Sequence, residues 1–305
     1  MRQFSAVLGL AAMLLLAGCN NWPHLRGTNN GAPAPRAFTD TPTRETLVDY
    51  LNRNARLIQS VDVNELDLDA RQGQQSVGLR GWMVCQKPKN FRMTGKVVGK
   101  DAVDMGSNER EFWYWISKSE PPYLFHCSYD DLGRGRARMP FPFQPDWIME
   151  SLGIQELGSP ENFQVVTKRD TIELVEASRS PQGQPVQKVT VFNNNATRGS
   201  APPVAAHILR DASGKEICGA YISAVQQDRG TGAVIPKKIR LVWPSEKMEL
   251  NLKLDEVEVN KQIESQRATI WFTRPNLENV STYNLASGLD AAPTGAVRRV
   301  SGYSR

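Results

Sequence analysis

This chain of 305 residues is short of the side chains that usually do chemistry, with three histidines and four cysteines. His24 lies near the N-terminus, and neither His126 nor His207 belongs to a His-x-x-x-His or Glu-x-x-His pattern. Metal ligation and Cys/His catalysis both need partners at short, fixed spacings, so neither is indicated. His126 and Cys127 are neighbours on a strand-like run and point to opposite faces. Cys85, Cys127 and Cys218 are widely separated and odd in number, which allows at most one disulfide and excludes a disulfide framework. Their apolar surroundings read as those of small buried hydrophobes. Gly133-Arg134-Gly135 lacks the third glycine of a dinucleotide loop, and no serine sits in a Gly-x-Ser-x-Gly setting. Asp130-Asp131, Asp67-Leu68-Asp69 and Glu256-Val257-Glu258 read as solvent-side charges. The sequence displays no catalytic cluster and implies no cofactor or metal; the expectation is a protein that is not an enzyme.

Long apolar runs are equally scarce. The one at Phe4 to Leu16 falls short of the roughly 20 residues that span a bilayer. Arg2 before it and Leu16-Ala17-Gly18-Cys19 after it make a short leader with small residues before a cysteine. The tetrapeptide resembles the lipobox of bacterial lipoproteins, which implies cleavage before Cys19 and acylation of its thiol. An ordinary signal peptide that happens to hold a cysteine is the alternative; either way the chain leaves the cytoplasm. Two or more carbon chains on one residue suffice for stable anchoring, at roughly 0.8 kcal/mol per buried methylene. By similarity to bacterial sorting, Asn20 after the lipidated cysteine implies the outer membrane. The formal charge is +5. With its Lys and Arg spread along an exported chain, that charge indicates attraction to anionic headgroups or envelope polymers, and no nucleic acid.

Residues 1–18 are thus read as signal peptide and 19–40, rich in Asn, Pro, Gly and Ala, as a flexible stalk. Order is expected from Thr41 as N-cap with Pro42 at the first helical position. Leu47, Tyr50, Leu51, Leu57, Ile58 and Val61 recur at helical spacing and form an amphipathic stripe. Then the period changes to two. Strands are expected at Asn64–Ala70, Val77–Gln86, Phe91–Val98, Glu111–Ser117 and Tyr123–Tyr129, with a break near Met105-Gly106-Ser107-Asn108. A second helix at Pro145–Leu152 ends at Gly153. Strands resume at Gln164–Thr167, Thr171–Ala177, Val186–Phe192, Ala205–Arg210, Glu216–Gln227, Lys238–Trp243 and Met248–Val259. Short strands joined by turns predict a mainly β (α+β) fold, a curved antiparallel sheet covered by amphipathic helices. One domain is expected over 41–275, with a disordered tail over 276–305.

Aromatic side chains concentrate on these strands. Phe112, Tyr114 and Ile116 alternate with Trp113 and Trp115, and Trp82, Val84, Phe91, Met93, Leu124 and Phe125 come from neighbouring strands, while Trp147 lies on the second helix. A sheet closed by helices either packs solid or leaves an apolar pocket. The candidate lining is Trp82, Val84, Phe91, Met93, Phe112, Trp113, Trp115, Phe125 and Trp147.

A set of motifs bears on that choice: a first amphipathic helix and strand, Leu79-Arg80-Gly81 leading through Pro88-Lys89-Asn90-Phe91-Arg92-Met93, Gly106-Ser107-Asn108 before Phe112-Trp113-Tyr114, and Ile235-Pro236-Lys237-Lys238-Ile239-Arg240-Leu241 followed by Leu250 to Asn260. Together, over about residues 43–262, the chain resembles the lipoprotein-localisation carrier and receptor superfamily, the LolA/LolB-like fold. The resemblance implies an unclosed β-barrel whose concave face is apolar and lidded by helices, binding acyl chains of lipids or lipoproteins without chemistry. Unlike many soluble carriers of that family, this chain has a lipobox and an extra tail, closer to the anchored receptor. Met139-Pro140-Phe141-Pro142-Phe143, beside Arg134, Arg136 and Arg138, is a candidate for the receptor's exposed apolar tip; an inward-folded Pro-rich connection is the alternative. The competing function is a structural or protein-interaction module of the envelope with a solid core and no lipid ligand.

Overall fold

The computed structural model describes residues 42–119, 123–137, 145–180, 183–194 and 202–287. The leader, Cys19, the stalk, Arg138 and the Met139–Phe143 segment lie outside them, as do 288–305. The chain divides into two units, 1–34 and 35–305, and everything below concerns the second.

Helix α1 (Arg44–Arg56) opens this unit, and its N-cap is Thr43, whose side chain accepts from the Thr46 amide. The cap is thus Thr43 and not the expected Thr41: an N-cap hydroxyl satisfies the amide two or three residues on, and the helix begins at Arg44. Val61 also leaves the helical stripe, because strand β1 (Ser60–Gln72) has already begun. A meander follows through β2 (Gln75–Gln86), β3 (Asn90–Val97), β4 (Lys100–Ser107), β5 (Glu111–Ile116) and β6 (Leu124–Ser128). The expected break at Met105–Asn108 is instead mostly strand, since β4 includes Met105, Gly106 and Ser107 and only Asn108 to Arg110 turn. Gly106, of a residue type that commonly interrupts strands, stays in β4 because its missing side chain leaves room for the Trp113 ring.

Short helices α2 (Tyr129–Gly133) and α3 (Pro145–Ser151) precede a second meander, β7 (Phe163–Thr167), β8 (Thr171–Arg179), β9 (Pro185–Asn193), β10 (Val204–Asp211), β11 (Glu216–Gln227), β12 (Val234–Trp243) and β13 (Met248–Val259). Helix α4 (Ser265–Trp271) and strand β14 (Thr282–Asn284) complete the described chain. All fourteen strands form one sheet in the order β14-β6-β5-β4-β3-β2-β1-β13-β12-β11-β10-β9-β8-β7. It is unclosed, with β14 and β7 at its ends. Every pairing is antiparallel except β14 with β6, which is parallel. Residues 276–287, assigned to the tail by composition, therefore include a sheet strand, and Leu285 is buried in the main core. The joint between the two meanders is the β1–β13 pair, eleven paired positions in one register from Val61 opposite Val259 to Gln72 opposite Met248.

One face of this sheet carries the core. Helix α3 packs Ile148, Met149 and Leu152 onto it beside Ile154. Helix α1 covers its β7–β9 end with Leu47 and Val48 against Phe163, Ile172, Leu174 and Phe192. Cys85, Cys127 and Cys218 are buried and unpaired.

Candidate functional site

Register decides which aromatic residues can share a wall, because directly opposed residues in a sheet project to the same side. One row runs Cys85, Phe91, Ser107, Phe112, Cys127 across β2 to β6, and the next runs Met83, Met93, Met105, Tyr114, Phe125. These rows belong to the main core, with Tyr114 and Phe125 stacked at 5.1 Å. Val84, Arg92, Gly106, Trp113 and His126 form an intervening row on the opposite side, and Trp82, Thr94, Asp104 and Trp115 another. The nine candidate lining residues therefore do not share a cavity. Phe91, Met93, Phe112 and Phe125 lie on the core face, where Trp147 joins from α3 at 6.0 Å from Trp243. Trp82, Val84, Trp113 and Trp115 lie behind the sheet. The alternation of Phe112-Trp113-Tyr114-Trp115 contained this division already.

The core wall is filled. Phe91 is 0 % exposed, Met93 1 % and Phe112 1 %, values that leave no water-sized space against these side chains. Polar links hold the helices over it. Glu150 of α3 accepts from Lys188 Nζ at 2.9 Å, and Asn54 of α1 bonds the Val234 backbone in both directions at 2.8 Å. Asn52 does the same with Leu157. Beneath α3 the sheet contributes His207, buried and 3.3 Å from the Thr190 hydroxyl; burial pushes its pKa down.

The rear wall has a different cover, one that the sequence did not announce. The guanidinium of Arg92 donates to Asp104 Oδ2 at 2.6 Å and to the carbonyl oxygens of Trp271 and Thr273 at 3.1 and 3.2 Å. It thereby ties the C-terminus of α4 to the sheet, where a cation complements the exposed helix carbonyls. Trp271 lies 5.4 Å from Trp82, and Asn108 Nδ2 donates to the Phe272 carbonyl at 3.0 Å. Burial raises the Asp104 pKa while Arg92 pulls it back. Gly106 admits the Trp113 ring: a Cβ there would stand 2.4 Å from an indole carbon. His126, the other histidine of the domain, lies 3.5 Å from Glu111, and burial and Arg274 lower its pKa. Among the described residues no three His, Cys, Asp or Glu side chains converge as a metal site, and no helix is long and apolar enough to cross a membrane.

The fold class is thus a large unclosed antiparallel sheet, with α1 and α3 on one face and α4 on the other. Solved structures similar to it include a DUF1329 family protein from Desulfovibrio piger, 9 % identical with TM-score 0.48, covering 76 % of this chain and 98 % of that one. An outer membrane lipoprotein-sorting protein domain from Vibrio parahaemolyticus is 8 % identical with TM-score 0.46, over 75 % and 98 %. A LolA superfamily protein from Nitrosomonas europaea is 12 % identical with TM-score 0.44, over 77 % and 99 %. No family model and no curated protein matches the sequence. At this level the likeness concerns the arrangement of strands and carries nothing about ligands.

Proposed function

We propose that this chain is a non-catalytic bacterial envelope lipoprotein, anchored through Cys19 in the outer membrane and facing the periplasm, that receives acyl chains between its sheet and α3. The supporting observation is the apolar core face of Met83, Phe91, Met93, Met105, Phe112 and Phe125, polarizable and free of anchoring charge, in one cluster with Ile148, Met149 and Leu152. Such a surface suits a flexible hydrocarbon, because Met and aromatic side chains repack around irregular shapes. Since the wall is filled when α3 is seated, uptake requires α3 to lift and the acyl chain to replace Ile148, Met149 and Leu152. The second reading, an interaction module with a solid core, is favoured by the burial of Phe91, Met93 and Phe112.

Lifting separates the two. Lys188 is 42 % and Glu150 18 % exposed as a pair, so their contact is worth no more than about 1 kcal/mol. With the full chain and a fluorescent fatty acid such as cis-parinaric acid, saturable binding is expected, and Lys188→Ala should tighten it about two- to fivefold by releasing α3. No saturable binding by either protein establishes the solid-core module instead.

A further inference from the structure

A concavity of about 780 Å³ lies on the rear face, where β3, β2, β1, β13 and β12 cross the middle of the sheet, beginning one row along from Trp82 and Thr94. None of the nine candidate residues lines it. Its charged side chains come from the face opposite the core, and register sets them in a line: Lys96 opposite Arg80, Arg80 opposite Asp67, Asp67 opposite Lys253, Lys253 opposite Lys238. The row reads plus, plus, minus, plus, plus. Like charges directly opposed on neighbouring strands destabilise a sheet, and this row has two such pairs.

The cations also keep donors in reserve. Arg80 is 3.7 Å and Lys253 3.9 Å from Asp67, beyond hydrogen-bond distance, and Lys96 faces Asp101 at 3.3 Å. Lys253 also contacts Asp255. Lys238 has no hydrogen-bond or ion-pair partner among the described residues. Each ammonium offers three donors and each guanidinium five; Lys253 spends one on its close pair with Asp255, and the other contacts are loose, so most donors stay unused. A second row, Asp69, Asn251 and Arg240, runs alongside; Asp69 holds Arg71, and Arg240 faces Glu249 at 3.4 Å and lies over Tyr221 at 4.9 Å.

We propose that this groove binds an extended acidic oligosaccharide laid across the strands. Four inter-strand spacings make the row about 19 Å long. That length and concavity suit a single chain, whereas a flat membrane surface cannot enter a groove. Lys96, Arg80, Lys253 and Lys238 would meet carboxylate or sulfate groups of successive sugars. Asp67, Asp69 and Asn251 would accept from hydroxyls between them, which a run of phosphates could not supply. The site is independent of acyl binding.

The test is fluorescence anisotropy of the full chain with a labelled heparin decasaccharide, with a neutral dextran of equal length and phosphatidylglycerol vesicles as competitors. Saturable binding is expected, displaced by neither competitor and weakened at least tenfold by the double substitution Lys238→Glu/Lys253→Glu. Both side chains are exposed, so the fold should survive, which circular dichroism checks. Absence of binding, equal binding by the double variant, or displacement by dextran overturns the proposal; displacement by the vesicles assigns the row to a membrane surface instead.

Discussion

Single residues on the β7–β11 half of the sheet hold charge tightly. Glu173 is buried and accepts from both Nη atoms of Arg210, at 2.9 and 3.0 Å, and from Lys168 at 2.6 Å. The Arg210 hydrogen bonds, with Lys168 adding to them against the opposing effect of burial, bring its pKa down to about 2 from an ordinary 4.5. A carboxylate with a depressed folded-state pKa stabilises the fold above its unfolded pKa and loses that contribution as pH falls through the folded one. Melting temperature should therefore drop between about pH 4.5 and pH 2. In Glu173→Gln that portion of the acid dependence should vanish, while stability at pH 7 falls because Arg210 and Lys168 lose their partner. Thermal melts of both proteins across this range check the sign; identical acid slopes would refute it. Nothing in the sequence marked Glu173, because its partners lie five and thirty-seven positions away.

At the scale of elements, the turns that fasten α1 to the sheet depend on Asn260. With φ at +57°, a conformation that asparagine tolerates, it ends β13 and reaches the opposite end of the chain. Its Oδ1 accepts from the Gln59 and Ser60 amides at 2.7 and 3.2 Å, and its Nδ2 donates to the Leu57 carbonyl at 2.8 Å. Asn260→Ala strands these groups and strains the backbone, so a loss of about 1–3 kcal/mol in urea unfolding is expected. Asn260→Gly, which relieves only the strain, should recover part of it. Helices α1 and α3 were legible because their apolar stripes follow a 3.6 period, and most strands because theirs follow a period of two. Strand β4 was missed, its C-terminal half masked by Gly106, and α4 and β14 had too few apolar residues for a periodic signal. Both are held by contacts remote in sequence, α4 by Arg92 and β14 by its pairing with β6.

For the molecule as a whole, composition and period were enough to read a curved antiparallel sheet with helices upon it; that the sheet stays unclosed was implied by the resemblance of its motifs to the LolA/LolB-like fold. The site was legible in part. The aromatic richness of β5 was plain, but its division between two faces follows from alternation, and only the register of five strands shows how far each row extends. The charged groove left no local trace, since its five residues come from five strands and meet only through pairing.

Brominated stearic acid measures the central claim, because bromine quenches only those indoles it approaches closely. The tryptophans of the sheet region divide cleanly: Trp147 and Trp243 belong to the core face, whereas Trp82 and Trp271 are paired on the rear face with Trp113 and Trp115 beside them. If an acyl chain displaces α3 from the core face, quenching of the full chain should saturate and should be largely lost in Trp147→Phe/Trp243→Phe. Quenching that persists undiminished in that variant, or none at all in the unaltered protein, would contradict the account.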